Sequence, residues 1–234
     1  IVLRTTNGSI TLNDGTSGSG TAISADGSGN VLVQAIHSGT SITSNADVVS
    51  GSGHVTVLAA DAVEFTSGAD ITTGSSGTID VEATSGSITM STTSNTTSGS
   101  GDIRMVAAND VNVGGLISTS GNVSITATSG SILDNDGEDT SVDIAAGGLR
   151  LVAGNGVGVL GSNVNPVETT VTTVSARGGN GGINILESDG VIVDDTSATV
   201  QKVGANAGLT STTDAMQSDL ATGSNGSIVL RTTN

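Results

Sequence analysis

Gly53-His-Val-Thr-Val-Leu-Ala59 returns 24 residues later as Gly77-Thr-Ile-Asp-Val-Glu-Ala83 and again as Gly101-Asp-Ile-Arg-Met-Val-Ala107. After 20 more residues comes Gly121-Asn-Val-Ser-Ile-Thr-Ala127. The shared pattern is Gly-x-apolar-x-apolar-x-Ala. Period-two alternation puts the apolar residues on one face of a strand. Recurrence at a short, near-constant period marks a solenoid, in which each coil buries its apolar face only by stacking on its neighbours. The predicted inward ladders are Val55 and Val57, Ile79 and Val81, Ile103 and Met105, and Val123 and Ile125. Val31 and Val33 extend them at one end, Leu149 and Leu151 at the other. The closing Ala35, Ala59, Ala83, Ala107, Ala127 and Ala153 suit a narrow corner. Thr56, Asp80, Glu82, Arg104, Ser124, Thr126 and Arg150 face outward. Asp80 and Arg104 fall one rung apart on that face, a pairing that contributes ~0.2–1 kcal/mol.

Working outward, Gly29, Gly147, Gly181 and Gly226 are read as further first-strand openings. The gap of 34 residues after Gly147 reads as an inserted loop, and the gap of 45 after Gly181 as a hidden coil. Gly8, Gly86 and Gly130 open second strands, and Ile71 and Leu116-Ile117 lie on a third segment. The expected fold is all-β: a parallel β-helix of about nine coils of 20–27 residues, with looser coils and loops toward the C-terminal third. Turns are marked by Asp26-Gly27, Ser67-Gly68, Asn109-Asp110 and Asp136-Gly137. The best helix signal, Thr213 to Ala221 with Asp214 and Gln217 as a capping pair, supports one or two turns at most, and a plain loop fits the stretch equally well.

Residues 1–7 and 228–234 are the same heptapeptide, Ile-Val-Leu-Arg-Thr-Thr-Asn. The 234 residues therefore read as one β-solenoid module, a ~227-residue repeat of a longer tandem array whose partners are identical copies joined end to end.

Composition narrows the function classes. One aromatic residue (Phe65), no cysteine and 35 glycines exclude a conventional globular core, yet 35% of residues are hydrophobic and periodically placed, unlike a disordered chain. A net charge of −16, from 22 acidic against 6 basic residues, argues against nucleic acid as a partner. It also disfavours anionic membrane surfaces, and no apolar run is long enough to span a bilayer.

The Gly-x-Val/Ile-x-Val/Ile-x-Ala units, interleaved with Thr-Ser-Gly-Ser-Ile at 84–88 and 128–132, resemble the shaft repeats of filamentous-haemagglutinin-like proteins. The resemblance covers residues 29–153 well and the rest loosely. It implies a right-handed parallel β-helix in a giant, secreted bacterial surface protein, with a structural role as a fibre or adhesin shaft in attachment to a host or neighbouring cell. A 227-residue super-repeat departs from a single-shaft adhesin and looks more like the array of a giant surface protein.

Other chemistry has weaker footing in the residues. Asp134-Asn-Asp136-Gly-Glu138-Asp139 is the densest acidic stretch; alternating oxygen ligands around a Gly turn suit Ca²⁺, although the spacing is not that of an EF-hand loop. Asp134, Asp136, Glu138 and Asp139 are therefore the candidate metal ligands, and no other cofactor is implied. Asp194-Asp195 is the adjacent pair a polysaccharide-active enzyme could use, but neither His37 nor His54 lies near it in sequence, and no catalytic residue is assigned. Thr72-Thr73, Thr92-Thr93, Thr96-Thr97 and Thr169–Thr173 suggest an ice-binding face, but fall at unequal offsets from the rung glycines. The alternative to a purely structural role is a ligand- or glycan-binding module that uses the loops of residues 155–225.

Overall fold

A computed structural model describes residues 1–16, 18–137 and 141–233. Twenty-four of the 26 strands join one parallel sheet wound around an axis; the other two form an antiparallel hairpin. Among the described residues there is no helix. The molecule is a parallel β-solenoid with three faces.

The first face carries the repeat read from the sequence. Val31–Ala35, Val55–Ala59, Ile79–Ala83 and Ile103–Ala107 stack in register, and Asn122–Ala127 follows. Val2–Thr5 flanks them below; the later halves of Ile144–Ala153 and Val167–Gly178 continue above. The second face runs from Ile10–Leu12 through Val63–Phe65 and Ile132–Asp134 to Gly182–Glu187. The third includes Asp47–Ser50, Ile71–Thr73 and Ile117–Ser118. All the inward ladder residues named from the sequence are buried, at 0–1% exposure, and the corner alanines follow them inside. Stacked Val, Ile and Leu thus fill most of the core, with Phe65 as its one buried aromatic ring, each burial contributing ~1.5–3 kcal/mol.

The glycine opening each first strand has a steric reason. A Cβ on Gly53, Gly77 or Gly101 would run into the carbonyl oxygen of the glycine one coil below, Gly29, Gly53 or Gly77. Their φ angles are ordinary, so it is the close approach of coils, and not left-handed backbone, that selects glycine here. Gly27 and Gly68, at two of the predicted turns, do take positive φ.

Corners are also tied by side chains that cap the next coil. Asp47 accepts the N–H of Asp70, Asp70 that of Asn95, and Asn95 that of Leu116, at 2.9, 2.7 and 3.1 Å. On the first face, Asn30 accepts from His54 and Asp102 from Asn122, at 2.9 and 2.8 Å. Such ladders satisfy backbone donors where the chain turns and the strand ladder lapses.

Two readings of the C-terminal third need correction. The 34-residue gap holds a full rung, Val167–Gly178, which bends through the corner as one continuous strand and so has no tight turn calling for an opening glycine. Gly181 and Gly226 precede strands of the second face, not the first. The insertion lies in the 45-residue gap. There the ninth first-face rung is split: Ile192–Val193 pairs with Thr173 and Val174, and Leu220–Thr222 resumes opposite Ala176. Residues 194–219 leave the rung between these halves. Of the two readings open at Thr213 to Ala221, the short helix is absent. Thr213 ends a strand, and Gln217 forms a bridge with Thr196 while its side-chain amide donates to the Leu151 carbonyl at 3.0 Å.

Candidate functional site

The segment leaving the split rung does not protrude. Thr199–Val203 and Leu209–Thr213 pair as a hairpin that lies back across the first face. Its path can be followed coil by coil. The Thr196 hydroxyl donates to the Leu149 carbonyl, the Asn122 amide to the Ser197 carbonyl, and the Thr199 N–H to Asp102, at 3.3, 2.8 and 2.6 Å. The N–H groups of Gln201 and Val203 then donate to the hydroxyls of Thr78 and Thr56, each at 2.9 Å. The hairpin advances two residues per coil. Two residues span ~6.6 Å of strand against a coil spacing of ~4.8 Å, so this strand crosses the rungs at roughly 45° to the axis.

This packing explains why outward positions are not solvated. Ala198, Val200 and Val203 are buried, and beneath the hairpin Thr56, Asp80 and Ser124 are at most 1% exposed. Burial there demands partners for the charges. Arg104 Nη1 lies 2.8 Å from Asp80 and 2.5 Å from Glu82, and its Nε lies 3.0 Å from Asp214 on the hairpin side. Lys202 reaches down from the hairpin to Glu82 at 2.8 Å and to Asp80 at 3.7 Å. The Asp80–Arg104 pair expected from the register is present, but as the centre of a covered network of three acids and two bases.

Burial, with Glu82 adding repulsion, pushes the Asp80 carboxyl up to about 6 despite Arg104 and Lys202. Glu82 is also penalised by burial, but hydrogen bonds from Lys202 and Arg104 outweigh this and hold it below the ordinary range. Arg104 is driven the other way: burial disfavours its charge, and Asp80, Glu82 and Asp214 together more than restore it.

A second cluster sits at the end of the second-face strand Ile132–Asp134. Carboxylate oxygens of Asp134, Asp136 and Asp143 all lie within 4.8 Å of one another. Asp134 Oδ1 accepts the N–H of Asp136 and Oδ2 that of Gly137, at 2.8 and 3.0 Å, which folds the turn over the carboxylate. Asp143 Oδ2 accepts the Glu168 N–H from the next coil at 3.0 Å. Burial raises the Asp134 carboxyl. Asp143 is pushed up to about 7, by burial first and then by Asp134 and Asp136, against the opposing Glu168 N–H. Of the four ligands expected from the sequence, the structure brings Asp134 and Asp136 together; Glu138 and Asp139 lie outside the described residues. Asp143 was missed because it is not contiguous with the acidic run. Its signal was its place just before Ile144, as Asp70 and Asn95 precede Ile71 and Thr96 three and two rungs earlier on the same face.

Asp194 and Asp195 are exposed at the exit of the split rung, where the Asp195 N–H turns back to Asp194 Oδ1 at 2.8 Å. The threonine pairs alternate in and out: Thr73 and Thr96 are buried, while Thr72 and Thr97 stack outward in register. Comparison with protein families, curated proteins and solved structures returns no match to this chain.

Proposed function

We propose that this chain is one module of a tandem β-solenoid forming the stiff shaft of a secreted, cell-surface fibre that mediates attachment or cell–cell contact, in the manner of filamentous-haemagglutinin-like proteins. The observation that carries this reading is the fate of the duplicated heptapeptide. Both copies are strands at an edge of the sheet: Val2–Thr5 pairs with the strand above it, and Ile228–Thr232 with the strand below. Both leave apolar residues open, Ile1 at 50% and Ile228 at 42% exposure. Open, flat edges invite further strands, and a second copy would cover them. The acidic surface keeps such rods soluble and apart. Chains of one, two and three copies should appear by electron microscopy as unbranched rods lengthening by ~40 Å per copy, the height of eight to nine strand spacings. Separate beads of constant size would sink the shaft reading.

A second reading is supported by the convergence of Asp134, Asp136 and Asp143: calcium binding that ties the turn after Ile132–Asp134 to the start of the third-face strand of the same coil. Hard carboxylate oxygens from both ends of that connection suit that ion. At pH 8, Ca²⁺ at ~100 times its dissociation constant is expected to raise stability by about 2.7 kcal/mol, read as a higher melting temperature that Asp143→Asn abolishes. An unchanged melting temperature in the unaltered protein would exclude the site.

A further inference from the structure

The two heptapeptides do not occupy the same face. Ile1-Val2-Leu3-Arg4-Thr5 lies on the first face, Val2 opposite Leu32 and Leu3 opposite Val33. Its second copy starts over the second face, with Ile228 opposite Ile183, and runs on over the third, with Thr232 opposite Glu187, since Ile185–Glu187 stack on Val167–Thr169 of the third face. Ile183 itself stacks on Val157 and Ile132 of the second face. Counting rungs up the first face from Val2–Thr5 to the split strand gives eight coils, and Ile228 lies one face beyond that.

One heptapeptide can make both sets of contacts at once. On the first face, the N–H of Ile1 donates to Asn30, and the carbonyls of Ile1 and Thr5 accept from Leu32 and Ile36. These are odd positions of the heptapeptide. In the second copy, the Ser227 carbonyl accepts from Ile183 and the Thr233 N–H donates to Glu187. These correspond to even positions, whose backbone groups point to the opposite edge of the strand. Side-chain parity agrees as well. Ile1 and Leu3 share a register with inward Val31 and Val33, and Ile228 and Leu230 share one with inward Ile183 and Ile185.

We infer that a following copy docks through this single shared strand, with its first face stacked above the second and third faces of the copy before it. The inference rests on the tandem-shaft reading and adds its geometry. Each module then ends on a different side from the one on which it began, so successive modules turn about the rod axis. The hairpin of residues 199–213, fixed to the first face, therefore lies on a different side of the rod in the next module. The next copy's Ile10–Leu12 then covers the split rung, where Ile192 and Val193 are 57% and 43% exposed.

The test is a chain of three copies, each joined to the next through one shared Ile-Val-Leu-Arg-Thr-Thr-Asn, imaged by electron cryomicroscopy. Hairpin density on different sides of one continuous rod in successive modules is the expected result. Hairpins in line along one side would overturn the rotation while leaving the shaft intact. Separated globules would overturn both. Spin labels at Ala207→Cys, on the exposed hairpin turn, in both modules of a two-copy chain provide a second measurement. The expected separation exceeds the axial rise of one module, whereas a separation equal to that rise contradicts the rotation.

Discussion

Replacing Arg104 with alanine is expected to destabilise the protein by about 3–5 kcal/mol at pH 8, the range for removing one partner of a buried ionic group. Among the described residues, the guanidinium is the one group that bridges Asp80 and Glu82 on the shaft to Asp214 beside the hairpin. Without it, Asp80 and Glu82 are left with Lys202, Asp214 loses its ion pair to Arg104, and the Asp80 side chain is wholly inaccessible to water. The loss should fall on the hairpin first: amide hydrogen exchange at 199–213 should accelerate before that of Ile79–Ala83 or Ile103–Ala107. The effect should also depend on pH with a definite sign. Asp80 binds its proton near pH 6 in the folded protein and near 3.8 when unfolded, so its ionised form opposes folding above pH 6. Lowering the pH from 8 to 5 protonates it and should shrink the cost of Arg104→Ala. Asp80→Asn in the Arg104→Ala background should recover stability at pH 8 for the same reason. Equal urea midpoints for Arg104→Ala and the unaltered protein would show that the network contributes nothing.

Gly101→Ala is expected to cost about 3 kcal/mol, the upper end of overpacking, because the added methyl meets a backbone carbonyl and not a flexible side chain. Gly77 cannot retreat: it is itself stacked on Gly53, which is stacked on Gly29. For a chain of this size the melting temperature should fall by ~6–12 °C. Gly190→Ala is the matched control, since its Cβ would meet nothing within 4 Å and its φ is ordinary; it should leave the melting temperature unchanged. If both substitutions were equally mild, close coil approach would not be what selects glycine at the rung openings.

The ladder residues and corner alanines were legible in the sequence because each face contributes a single layer of inward side chains to the core, so burial maps directly onto period-two alternation. Val171-Thr-Thr-Val174 also reads as a strand, but its place in the first-face register was not legible, because the strand rounds the corner without an opening glycine. The hairpin was missed for a different reason. Thr-Val-Gln-Lys-Val, Gly-Ala-Asn-Ala-Gly and Leu-Thr-Ser-Thr-Thr at 199–213 form a strand–turn–strand pattern that can be read locally, but its docking cannot. Nothing in that stretch says that Lys202 meets Glu82 or that the Val203 N–H meets Thr56, 147 positions away in sequence. The same long range hid Asp143 from the acidic run it joins.

The oblique course of the hairpin bears on how such a molecule carries tension. Pulled along its axis, a stack of coils is held only by hydrogen bonds lying parallel to the force, which open one rung at a time like a zipper. From Thr196 to Val203, covalent backbone runs lengthwise over the coils from Leu149 down to Thr56, anchored at each. Over that stretch several contacts must shear together before any rung can peel. The rungs outside it, at Val2–Thr5 and Ile192–Val193, are where a stretched fibre would yield first and re-form when the load is released.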